Sequence, residues 1–106
     1  MKRKEIEAFF KRRFRVYRAK TIILRVSENR LNVLKVAFIV SSVVKKNAVA
    51  RNKTKRRMIE IVRGLFPSIK TGYDLVFSYK LESKKAPSFE SLKNDIINLL
   101  ILCGAL

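Results

Sequence analysis

The chain has 106 residues, room for one small domain (1–106), and its 48% hydrophobic content is enough for a core, which excludes wholesale disorder. Lys and Arg number 25 against 8 Asp and Glu, a net charge of +17; such a surplus self-repels and calls for a polyanion, nucleic acid first and an anionic membrane surface second. One cysteine, Cys103, and no histidine exclude an internal disulfide, a Cys/His zinc site and any histidine-based triad, and suit a reducing cytosol.

Residues 2–4 form a short basic arm. Ile6, Phe9, Phe10 and Phe14 then recur at helical spacing among Lys11, Arg12 and Arg13, which predicts an amphipathic helix over residues 4–14. Such phenylalanines are core by default; part-exposed, they offer faces on which unpaired bases stack between basic groups. Residues 15–20 show no period and stay basic, with Tyr17 among them. Residues 21–26 (TIILRV) are β-branched and short, a strand. Residues 27–32 suit a hairpin connection, and the apolar run 33–41 (VLKVAFIVS) reads as a central strand buried on both faces.

A loop with Lys45 and Lys46 leads into the most charged part of the chain. Residues 45–63 carry eight Lys or Arg and a single acid, Glu60. At 3.6 residues per turn, Thr54, Met58, Ile61, Val62 and Leu65 fall on one stripe, so this is an amphipathic helix with one face on a core. Its cations divide in two. Asn52, Lys53, Arg56 and Arg57 look outward. Arg51 lies roughly 40° and Lys55 roughly 80° from the centre of the apolar stripe, at about 100° per residue. A buried charge there is costly, so the first turn is expected to overhang the edge of whatever the helix packs on, with Arg51 and Lys55 at the mouth of a groove. Gly64 and Pro67 end the helix. Residues 73–79 (YDLVFSY) are the next strand. After a polar loop, Ser88 caps a last helix, with Glu90 in its first turn and Phe89, Leu92, Ile96, Leu99, Leu100 and Cys103 on its apolar face.

The element order is α-β-β-α-β-α. A strand, a helix and a further strand imply a crossover, hence a small mixed sheet in a two-layer α+β sandwich. The eight acids give no evident cluster for a two-metal site, and three glycines with no Walker loop build no nucleotide fingerprint. No small-molecule substrate is expected. No long apolar region follows the basic N-terminus, and no apolar run is long enough to span a bilayer, so neither a secretory signal nor a membrane span is expected.

At NAVARNKTKRR the residues become specific. The stretch resembles the signature of the bacterial ribonuclease P protein subunit, in which an Arg-Asn-Arg core precedes a Lys-Arg pair; here it reads Arg51, Asn52, Lys53, Thr54, Lys55, Arg56, after Asn47, Ala48 and Val49. FFKRRF is similar to the family's first-helix aromatics, KVAFIVS to the strand before the signature, and YDLVFSY and PSFESLKNDIINLL to its last strand and helix. The resemblance implies a two-layer fold with an unusual left-handed crossover around the signature helix. It implies assembly in the cytoplasm with a catalytic RNA that removes the 5′ leader of precursor tRNA, with Mg²⁺ held mainly by that RNA and no catalytic residue on the protein. By resemblance, Arg51, Asn52, Lys53, Lys55, Arg56 and Arg57, with Lys45 and Lys46, meet the RNA subunit; Phe10, Phe14 and Tyr17, with Arg51 and Lys55 at the mouth, form the leader groove.

Three departures bear on the groove. Lys53 replaces the second signature arginine and loses its planar phosphate-gripping fork. The loop SSVVKKNAV lacks the usual glycine and is one residue longer. Arg25 stands where the family often has an aromatic, removing one stacking platform. The chief rival is a structural rRNA-binding protein of ribosomal type, which shares the size and charge but not the signature. A membrane-surface protein and a self-sufficient nuclease are more distant alternatives.

Overall fold

The computed structural model describes residues 1–106. Helix α1 covers Arg3–Phe10, four residues short of the expected end. The amides of Lys11 and Arg12 donate to the carbonyls of Ala8 and Phe9 at 3.2 and 3.1 Å, a tightened turn that closes the helix. The spacing that put Phe14 on a helix is met by this turn instead, which folds its ring back over Phe9 with centroids 5.2 Å apart.

Four strands follow one another through the sheet in the order β1-β2-β4-β3. They are β1 (Arg15–Arg18), β2 (Ile22–Glu28), β3 (Leu34–Ser42) and β4 (Tyr73–Leu81). The α-β-β-α-β-α order is present, with β1 added as a short edge strand antiparallel to β2. Its sequence, RVYR, is too basic to resemble a half-buried strand, but charge on an edge blocks further strand pairing.

Two expectations about the sheet are corrected. The apolar run in β3 forms an edge strand, not the central one; β3 pairs only with β4, in parallel. It is apolar on both sides because helices cover both faces: Val36, Phe38 and Val40 pack toward one cluster, Ala37 and Ile39 toward another. The central position belongs to β4, where Leu75, Val76 and Phe77 are all fully buried. Nor do β2 and β3 form a hairpin. β4 inserts between them, antiparallel to β2 and parallel to β3. Gly72 holds the split: its carbonyl accepts from Asn29 N–H and its amide donates to Val33, at φ +88°, where a side chain would be strained.

Helix α2 (Ala48–Leu65) buries Ala50, Thr54, Met58, Ile61 and Val62, the stripe expected from its period with Ala50 added and Leu65, at its end, only half-buried. It stops in a short 3₁₀ turn, Phe66–Ser68, containing Pro67. Helix α3 (Phe89–Cys103) is capped by Ser88, whose Oγ accepts from Ser91 N–H at 3.1 Å, and closes at Gly104 in the left-handed conformation. Helices α2 and α3 form one layer on the sheet, joined to it through Ile22, Leu24, Val26, Leu75 and Phe77. Helix α1 lies on the other face, where Phe9 packs with Ala37 and Val76. No helix is long and apolar enough to cross a membrane.

Candidate nucleic-acid interface

Strand parity decides what faces α1. Opposed residues in an antiparallel pair share a face, so Val16 with Arg25 and Arg18 with Ile23 look toward α1, while Arg15 with Val26 and Tyr17 with Leu24 look toward α2 and α3. The α1 side therefore carries Phe10, Phe14, Val16, Arg18 and Arg25 around a small apolar patch. Phe9 is fully buried, Phe14 half-buried on it, and Phe10 is 41% exposed. The three rings pack mutually, Phe10 edge-on to each of the others at 5.6 and 5.8 Å.

Tyr17 is not brought to this groove. It packs against the α2–α3 core, under the Arg15 guanidinium 5.8 Å from its ring. Arg25 takes a place there that the sequence reading left vacant. Its guanidinium lies 5.3 Å from the Phe10 centroid, and Nη1 donates to Ser78 Oγ at 2.9 Å. Arg25 thus sets a planar, charged group beside the Phe10 ring, of the kind that can stack on a base as an aromatic ring does. The signal was present in TIILRV: with Ile22, Leu24 and Val26 pointing to the core, Arg25 must point to the opposite face.

Helix α1 is fastened over this face by ion pairs. Lys35 Nζ donates to Glu5 at 2.9 Å, which lowers the Glu5 carboxyl below its usual range and raises Lys35 above its own. Just beyond the helix, Arg12 Nη2 donates to buried Asp74 at 2.7 Å, and Asn29 Nδ2 donates to the other Asp74 oxygen at 2.8 Å. These acids are thus engaged by cations and amides. No group of three or more His, Cys, Asp and Glu is gathered anywhere.

The cations of α2 from Arg51 to Arg57 fall on three adjoining surfaces. Arg51, Asn52 and Lys55 line a cavity of about 360 Å³ with Phe38, Ile39 and Val40 of edge strand β3. The first turns do overhang the sheet edge, and Ile39, which packs toward α1, joins this surface to the α1 side. Asn52, Lys55 and Arg56 form the outward ridge with Val49 and Ile59. Lys53 and Arg57 instead turn to the far flank, toward the loop before α3. All of these are exposed except Arg57, which is half-buried. Lys45 and Lys46 are exposed in the loop before α2 and line none of the three cavities.

A basic α+β domain with its signature helix laid across a sheet edge, and an aromatic groove on the opposite face, is the class these features define. The Ribonuclease P family model matches residues 1–103. The chain is 37% identical over 94 residues to the ribonuclease P protein component of Clostridium botulinum strain 657, covering 88% of this chain and 83% of that one. It is equally identical over 86 residues to that of Chloroflexus aurantiacus, with 81% of this chain covered and 63% of the relative's length. In fold, it superposes on the Staphylococcus aureus RNase P protein with a TM-score of 0.79 at 18% identity, covering 99% and 94% of the two chains. The Thermotoga maritima RNase P protein gives 0.75 at 22% identity, covering 92% and 90%. The chain belongs to the ribonuclease P protein family.

Proposed function

We propose that this chain is the protein subunit of a ribonuclease P, binding the catalytic RNA subunit and the 5′ leader of precursor tRNA in the cytoplasm. The observation that carries the reading is the division of surfaces. Arg51, Asn52, Lys53, Lys55, Arg56 and Arg57 are displayed around one helix, whereas Phe10, Phe14 and Arg25 stand together on the opposite face of the sheet. Cations on a helix grip phosphate and supply affinity. Exposed aromatics and a guanidinium plane hold unpaired bases without strict sequence demand. Arg51 and Lys55, at the sheet edge between the two, serve whichever strand passes from one surface to the other. The bond cleavage is assigned to the RNA subunit and to Mg²⁺ held mainly there; the protein's part is binding, positioning and charge neutralisation.

The test is cleavage of precursor tRNA by a bacterial ribonuclease P RNA at low Mg²⁺, with and without this protein. Neutralising RNA charge partly substitutes for Mg²⁺, so the protein should produce a large gain at the mature 5′ end. A folded, RNA-binding protein that gives no gain would return the chain to a structural rRNA-binding role. Cleavage by the protein without RNA would overturn the assignment of the chemistry.

A further inference from the structure

We propose that the loop between β4 and α3, through Lys84 and Lys85, is a second phosphate-binding contact for the RNA subunit, acting with Lys53 and Arg57 of α2 across a shared cavity. The inference rests on the function proposed above and extends the RNA surface off the signature helix.

Lys53, Arg57, Lys84 and Lys85 line a cavity of about 480 Å³ with Asn47, Val49, Ala50 and Ala86. No carboxylate lines it, and none of the four cations takes part in an ion pair. Like charges left to themselves would spread apart. Here the segments that carry them are fastened to one another by uncharged ties. Arg57 Nη1 donates to the Pro87 carbonyl at 2.6 Å. Buried Asn47 donates its side-chain amide to Ser42 Oγ and to the Ser83 carbonyl, both at 3.0 Å. Val43 N–H donates to Leu81 at 3.0 Å, and Lys85 N–H to Ser83 Oγ at 3.3 Å. Asn47 is the N-cap residue of α2, but its side chain makes no capping bond; its amide pins the two loops to each other. Uncompensated cations brought to one cavity by fastened segments offer a site for phosphate.

The shape favours a polymer over a small anion. Val49, 83% exposed, lines both this cavity and the Asn52–Lys55–Arg56 surface, which in turn shares Asn52 and Lys55 with the Arg51 surface. Cations thus run continuously around the first turns of α2, from Lys84 and Lys85 to the β3 edge. The far flank lies on the layer of α2 and α3, across the sheet from Phe10 and Phe14. A leader strand held on those rings is on the wrong face to meet it, so the RNA subunit is the occupant.

The experiment measures binding of a bacterial ribonuclease P RNA, without substrate, to the unaltered chain, to K84A/K85A and to K84R/K85R, over a range of KCl concentrations. Each lost phosphate contact lowers the slope of log affinity against log salt by about 1. K84A/K85A should therefore bind roughly tenfold more weakly at low salt, with a slope reduced by about 2. K84R/K85R should retain both values. In turnover assays the penalty should be equal for long-leader and short-leader precursor tRNA. Unchanged affinity and slope in K84A/K85A would overturn the proposal, as would a penalty confined to long-leader substrates. Failure of the unaltered chain to bind the RNA is a distinct result, seen before any substitution, and would overturn the functional reading itself.

Discussion

Phe10 and Phe14 occupy equivalent places in the sequence pattern and unequal ones in the fold. Phe14 is stacked on fully buried Phe9, so its removal disturbs packing as well as any ligand. Phe10 is 41% exposed, with Arg25 over its ring, and reports on the groove more cleanly. Phe10→Ala is expected to weaken binding of precursor tRNA with a long leader by about 1–3 kcal/mol, the worth of one stacked base, and to leave binding of the RNA subunit unchanged. Arg56→Ala should do the reverse. Affinities measured for long-leader and leaderless substrates separate the two; equal effects at both leader lengths would dissolve the division of surfaces. The same residues show how far the sequence could be read. α2's exposed cations follow from its apolar stripe. The exclusion of Tyr17 and the arrival of Arg25 depend on strand parity, and Tyr17 lay in a stretch whose strand was hidden by its charge.

At the scale of elements, the two long helices were legible because each carries an apolar stripe and a boundary signal: Pro67 just past the end of α2, and Ser88 at the start of α3. The place of β3 was not. An apolar run reports burial on both faces, not which neighbours a strand has, and β3 is buried by α1 below and α2 above while one edge stays free. The attachment of α1 was also hidden, since it rests on pairs distant in sequence. Glu5 and Lys35 are such a pair. The lowered Glu5 pKa, due first to the hydrogen bond from Lys35 and then to that from the Lys2 amide, means that the pair's contribution is present above the ordinary carboxylate value of 4.5 and is lost as pH falls through the lower folded value. Lys35, raised by the same bond, keeps its contribution below 10.5 and loses it at still higher pH. Between those limits the clamp is complete. Glu5→Gln should therefore lower Tm slightly at pH 7, the side chains being 40% and 39% exposed, and the difference from the unaltered chain should close as pH falls through the lowered Glu5 value. A Tm difference that stays constant with pH would assign the effect to helix propensity and not to the ion pair.

For the whole molecule, the dominant quantity is the charge. Of 25 Lys and Arg, only Arg3, Arg12 and Lys35 stand within 4.0 Å of an acid, and two of those three pairs hold α1 to the sheet. The remaining cations repel one another around a small core, and that repulsion opposes the compact state. Added salt screens it, since the Debye length falls from about 30 Å at 0.01 M to about 10 Å at 0.1 M. Salt also erodes the counterion release that drives RNA binding. The two properties should consequently move in opposite directions: raising KCl from 0.02 to about 0.3 M should raise the Tm of the free protein while the affinity for the RNA subunit falls by orders of magnitude. Bound RNA supplies the countercharge itself, so the protein in the complex should have a higher Tm than the free chain, most visibly at low salt. Thermal unfolding of free and RNA-bound protein across that range checks both statements. A Tm of the free chain that is flat or falling with salt would mean that the cations lie too far apart to strain the fold, and that the surplus charge serves binding alone.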